Sequence, residues 1–141
     1  GLSNNFLTGT VPKSFQKLKR LEVLRLDDNA LWGEVLTILS SMGRLKDVYL
    51  EDNLFGGALS ELNVLQLGDL EQLDLSSNSF KGAIPPDFFN HPTLEVLDLH
   101  DNGLSGPIPS VSFGDVAGKK GNGPPKLDYV SLHHNDLSGE I

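Results

Sequence analysis

Leucine and asparagine recur along this chain at fixed distances. Asn5, Asn29, Asn53, Asn78, Asn102 and Asn135 are separated by 24, 24, 25, 24 and 33 residues. Before every one but the first the chain reads LxxLxLxxN, over 21–29, 45–53, 70–78, 94–102 and 127–135. Val48 and Val130 replace the middle leucine in two of these segments. The LxL alternation has period two, which predicts a short half-buried strand with its leucines turned inward. One such segment cannot bury its own apolar face, so the segments must stack. Stacking them gives a parallel sheet with strands ~4.8 Å apart. Each asparagine falls where the strand ends and the chain bends. Its amide suits the backbone groups that a bend leaves unpaired. The six asparagines are therefore expected to form a structural ladder through the array.

A second motif follows the asparagine. It reads Leu7-Thr8-Gly9-Thr10-Val11-Pro12, Phe80-Lys81-Gly82-Ala83-Ile84-Pro85 and Leu104-Ser105-Gly106-Pro107-Ile108-Pro109. Leu137-Ser138-Gly139-Glu140-Ile141 repeats it up to the position of the proline. The turns at 31–36 and 55–60 keep the glycine and lack the proline. With these two motifs together, LxxLxLxxNxLxGxIP, the chain resembles the leucine-rich repeat family in its plant-type subclass, as in receptor-like kinase ectodomains and polygalacturonase-inhibitor-like proteins. The resemblance covers essentially all 141 residues. It implies an α/β-class solenoid, a right-handed superhelix of about six turns, with a parallel sheet on the concave face and an irregular or short-helical convex side. It implies a short second sheet from the xLxGxIP segments. It also implies a receptor ectodomain or secreted protein at the cell surface, with any kinase domain elsewhere in the parent chain. Both ends fall inside a repeat, so 1–141 is read as a stretch of a longer array.

Regular turns carry eight residues between the proline and the next strand, as at 13–20 and 86–93. The turn at 61–69 carries nine, and a helical turn is expected within 60–67. The segment 110–126 carries seventeen and is rich in Gly, Pro and Lys, a composition that builds no core. It is read as an insertion looping out on the convex side. Phe15, Leu39 and Phe88 share one slot and are expected to stack as an apolar spine, with Phe113 as their counterpart before the insertion. His91 falls in a core slot, where a backbone partner would satisfy it. Trp32 is expected to pack against a neighbouring turn.

Charge changes the picture most. There are 19 acidic and 11 basic residues, for a net charge of −8, which disfavours nucleic acid as a partner. No Cys is present, so disulfides and thiolate chemistry are excluded. No GxSxG, HExxH, EF-hand or Walker pattern occurs, and neither an enzyme activity nor a cofactor is assigned. No apolar run is long enough to span a membrane. The third, fifth, seventh and eighth residues of the five full units are expected to face solvent from the concave sheet. These 20 positions hold eight acids and one base, and account for −7 of the net charge. The acids are Asp27, Asp28, Asp47, Glu51, Asp52, Asp74, Asp98 and Asp101, and the base is Arg25. Tyr49, Tyr129, His100, His133 and His134 share the face. Nothing in the repeat itself demands acid there, since Ser or Thr would serve, and stacked like charges are unfavourable. The face is therefore expected to bind a protein or peptide, basic in character, with Tyr as contact residues; the alternative is a solvated face on a purely structural repeat segment. His100 and His133 fall in one column beside Asp98 and Asp101. The 33-residue spacing between their turns leaves their alignment open, and they are read as solvated, with no metal assigned.

Overall fold

The computed structural model describes residues 1–110 and 126–139. Two parallel sheets run the length of the array. The concave sheet has five strands, β2 (Val23–Arg25), β4 (Asp47–Tyr49), β6 (Gln72–Asp74), β8 (Val96–Asp98) and β10 (Tyr129–Ser131), ordered as they occur in sequence. The second sheet has six, β1 (Thr8–Gly9), β3 (Ala30–Gly33), β5 (Leu54–Ala58), β7 (Ser79–Gly82), β9 (Gly103–Pro107) and β11 (Asp136–Ser138). It runs unbroken through the two turns that lack the proline, where β3 pairs β5. The convex side holds one short helix, α1 (Leu36–Leu39), and 3-10 turns at Lys13–Lys17, Leu59–Glu61, Val64–Gln66 and Pro86–Phe88. The helical turn expected within 60–67 is thus two 3-10 turns. Leu62, Val64 and Leu67 are buried there and Leu65 is exposed.

Register is what aligns the side-chain columns. Val23 pairs with Asp47, Asp47 with Gln72, Gln72 with Val96, and Val96 with Tyr129. The last pairing holds although β8 and β10 are separated by the longest connection in the chain. Residues 111–125, which contain most of the expected 110–126 insertion and Phe113, lie outside the described residues; Ser110 and Lys126 are both exposed.

The core is a continuous column of inward aliphatic side chains, including Leu24, Leu26, Val48, Leu50, Leu73, Leu75, Leu97 and Leu99. Leu39 and Phe88 belong to the same cluster, and Phe15 packs against it half-buried. His91 is wholly buried, and its Nδ1 accepts the backbone N–H of Leu94 at 3.2 Å. No hydrogen bond closes on its Nε2, although the carbonyls of Val64 and Leu67 face it. Burial pushes the imidazole pKa down, so a neutral ring fills this core slot.

The asparagines link successive turns. The side-chain oxygens of Asn29, Asn53, Asn78, Asn102 and Asn135 accept the backbone N–H of Leu7, Leu31, Phe55, Phe80 and Leu104 at 2.9–3.0 Å. Their amide nitrogens donate to the carbonyls of Leu2, Leu26, Leu50, Leu75 and Leu99, again one turn back, at 2.9–3.0 Å. Asn5 donates only within its own turn, to Leu2 and Ser3. Each cross-turn amide therefore satisfies a donor and an acceptor that belong to a neighbour.

Trp32 is 54% exposed on the outer face of β3 and borders a shallow depression with Thr10, Val11, Pro12 and Gln16 of the preceding turn. The exposure follows from the pleat: Leu31 takes the inward position, so Trp32 points out. Leu54, its register partner on β5, is 58% exposed, and Phe6 is fully exposed. These two apolar residues were not singled out by the repeat pattern, because the position after Asn is variable.

Candidate functional site

The concave face combines two kinds of acid, and the difference lies in the backbone. Residue eight of each unit has a left-handed conformation: Asp28, Asp52, Ser77, Asp101 and His134 have φ between 49° and 53°. Asn4, the equivalent in the first turn, has φ 55°. Such a φ disfavours most L residues and is tolerated best by Gly, Asn and Asp. The fold therefore does favour an acid or amide at this column, which corrects the expectation that Ser or Thr would serve equally.

Residue five supplies the second constraint. Asp74 accepts hydrogen bonds from the Ser76 N–H at 3.0 Å and the Ser76 hydroxyl at 2.6 Å. Asp98 accepts the His100 N–H at 3.2 Å and meets His100 Nδ1 at 2.5 Å. These carboxylates close local turns at the strand ends. Asp27 accepts the Ser3 hydroxyl at 2.7 Å.

Exposure follows these bonds. Asp27 and Asp98 are only 7% and 9% exposed, and Ser76 and Ser131 are buried as well. The four columns thus do not all face solvent, because a side chain tied back to the strand end or the adjacent turn is covered by it. Asp28, Asp52 and Asp101 are exposed, while Asp47, Glu51 and Asp74 are half-buried. Tyr129, His133 and His134 are exposed and His100 is half-buried.

Arg25 and Tyr49 are not free groups. The guanidinium lies 3.9 Å over the Tyr49 ring, and the Tyr49 hydroxyl donates to Gln72 Oε1 at 2.5 Å. This chain of contacts crosses β2, β4 and β6 and fixes Tyr49 on the sheet.

Charge on the face is lower than a formal count gives. Burial pushes the Glu51 carboxyl up to about 7, the charges of Asp74 and Asp27 push the same way, and Arg25 opposes them. Its Oε2 is buried without a partner. Burial also raises Asp74, against the Ser76 hydrogen bonds and with Asp98 beside it. Asp74 and Asp98 are register partners on adjacent strands, the like-charge arrangement that costs stability. The exposed acids of the face are Asp28, Asp52 and Asp101, with Asp47 half-buried.

The sequence has relatives of known type. A family model described as Leucine Rich Repeat matches residues 1–18, 69–91 and 93–113. Receptor-like protein 9b of Arabidopsis thaliana is 38% identical over 73 residues, 52% of this chain and 8% of that protein. The Arabidopsis receptor kinase HAESA, solved with the peptide hormone IDA and the co-receptor SERK1, superposes with a TM-score of 0.82. It is 33% identical, and the match covers 99% of this chain and 22% of that one. The ectodomain of the Arabidopsis receptor kinase SOBIR1 gives a TM-score of 0.76 at 28% identity, covering 97% of this chain and 71% of that one. The curated relative is thus far longer than the segment matched. The 141 residues are a non-enzymatic repeat module. No helix among the described residues is long and apolar enough to cross a membrane. From its two repeated motifs, its stacked parallel sheets and these matches, the chain has a leucine-rich repeat solenoid fold and is similar to plant-type members of that family.

Proposed function

We propose that this array is the recognition segment of a receptor-like protein outside the cell, and that it binds a basic peptide or protein segment on the concave sheet. The observation that carries the reading is the acid ledge of exposed Asp28 and Asp52 with half-buried Asp47. It lies across β2 and β4, with the Arg25 guanidinium held over the Tyr49 ring. The left-handed backbone accounts for an acid or amide at 28 and 52, yet it is indifferent between Asp and Asn. The choice of Asp over Asn, and the acid at 47, where the backbone makes no such demand, support a charged partner. A field of this kind speeds encounter with cations and rejects anions. Tyr49 and Tyr129 supply apolar area beside it, with Tyr49 already ordered by its two contacts. HAESA, which binds a peptide hormone in its solved complex, supports a peptide as the partner class.

Selection from a displayed peptide library tests this reading. Peptides recovered on the wild-type chain should be enriched in Lys and Arg. They should be lost on a variant with Asp28→Asn, Asp47→Asn and Asp52→Asn, which keeps shape and backbone preference. Recovery of neutral or acidic peptides, or equal recovery on the variant, would count against it.

A further inference from the structure

A second cluster, at the other end of the concave face, has a different chemistry. His100 and His133 stand at the same repeat position on successive turns, and their rings stack with centroids 4.5 Å apart and planes 6° apart. Each ring is held by the residue two before it. Asp98 Oδ1 meets His100 Nδ1 at 2.5 Å, and the Ser131 hydroxyl meets His133 Nδ1 at 3.1 Å. With both Nδ1 atoms engaged, Nε2 is the ring nitrogen left to each histidine for a ligand. Asp101 completes the set. Its Oδ1 meets His134 Nδ1 at 2.8 Å, while its Oδ2 lies 3.7 Å from His100 Nε2. One ligand atom from each of His100, Asp101 and His133 lies within 4.8 Å of the others.

We propose that His100 Nε2, His133 Nε2 and the Asp101 carboxylate bind one zinc-class divalent ion, with water at the remaining position. Two imidazoles and one carboxylate are a donor set for zinc and its first-row neighbours, while magnesium and calcium prefer oxygen alone. Tetrahedral ligands with bonds of about 2.0–2.1 Å stand about 3.3 Å apart, and each imidazole lone pair lies in its ring plane, so the His133 ring must turn out of the stack to meet an ion held by His100. Asp101 and His133 are exposed and can swing in without disturbing the core. Partners behind the ligands are also present: Asp98 and Ser131 orient the rings, and His134 orients the carboxylate. The ion would tie the turn ending β8 to the turn ending β10, the two turns joined by the longest connection. Binding to the folded state alone would raise stability with metal concentration.

Isothermal titration and thermal melting of the tag-free chain with ZnCl2 test this, with MgCl2 and CaCl2 as controls. Zinc should bind with one-to-one stoichiometry and raise the melting temperature, and the two controls should not. His133→Ala should abolish the zinc shift while leaving the metal-free melt near wild type, because the residue is exposed. Ser131→Ala, which keeps all three ligands, should weaken zinc by about 10–100-fold. Asp87→Asn, an exposed acid on the convex side, should bind zinc as wild type does. Absence of a saturable one-to-one event, or wild-type affinity in His133→Ala, would overturn the proposal.

Discussion

At the scale of single residues, the array depends on side chains that serve a neighbouring turn. Replacing Asn53 with Ala leaves the buried Leu31 N–H without its partner and takes one of two donors from the Leu26 carbonyl, which keeps the Asn29 amide. The cost should be on the order of 1–3 kcal/mol. Asn5→Ala removes only bonds within its own exposed turn and should cost clearly less. Denaturant melts of the two variants check this, and equal shifts would contradict the ladder. Ser77 offers the opposite case. It holds φ 50°, a conformation costing an ordinary L residue about 1–2 kcal/mol, where the equivalent turns have Asn4, Asp28, Asp52 and Asp101. Ser77→Asn should raise the melting temperature, and Ser77→Val should lower it.

At the scale of the strands, the in-register stacking of β4, β6 and β8 makes stability depend on pH. Glu51 titrates near 7 in the folded chain against 4.5 as an ordinary side chain, with Asp27, Asp74 and Arg25 as its charged neighbours. A carboxyl raised in this way binds its proton more tightly when folded. Its stabilising contribution is fully present below about 4.5 and is lost as pH rises through about 7. Asp74, also raised, acts in the same direction. Asp98 raises the pKa of His100 above its ordinary value, a contribution likewise lost as pH rises through the folded pKa. These three groups favour the folded chain on mild acidification from pH ~7.5 to ~5.5, buried neutral His91 opposes them because its pKa is pushed down, and Glu51→Gln should remove the share of the gain that Glu51 supplies. A series of chemical melts across that window measures it. At the same scale, the register of β8 with β10 bears on the 110–126 segment, since it fixes where the two turns stack whatever joins them. Deleting nine residues, 114–122, would restore the regular spacing. Because connection length costs little, the shortened chain should fold with a similar melting temperature.

The same strands show what could be read from sequence and what could not. Positions of Leu, Asn and Gly recur because each meets an identical backbone demand in every turn, and those demands placed both sheets. The variable columns carry no such constraint, so periodicity alone could not separate Asp27, covered by Ser3, from exposed Asp28 beside it. The left-handed φ at residue eight did leave a trace, since Asn4, Asp28, Asp52 and Asp101 share that column. Those residues look like a charge pattern until the backbone is seen. The stacking of His100 on His133 was hidden by the long spacing between their turns, which gives no register until the strands are paired.

At the scale of the whole molecule, charge is concentrated along one face of a rigid solenoid. The chain has net −8, and the acids that stay exposed on the concave side lie toward both ends of the sheet, Asp28 and Asp52 at one, beside half-buried Asp47, and Asp101 at the other. Individual exposed charges are weak and screened beyond ~8 Å at physiological ionic strength, so recognition must be collective. The most direct measurement is a titration of a basic peptide selected on this chain, against wild type and the Asp28→Asn, Asp47→Asn, Asp52→Asn variant, over a range of salt concentrations. Wild-type affinity should fall steeply as salt rises, and the variant should bind weakly with a shallow dependence. Equal affinity in the two proteins, or a wild-type affinity indifferent to salt, would contradict the account.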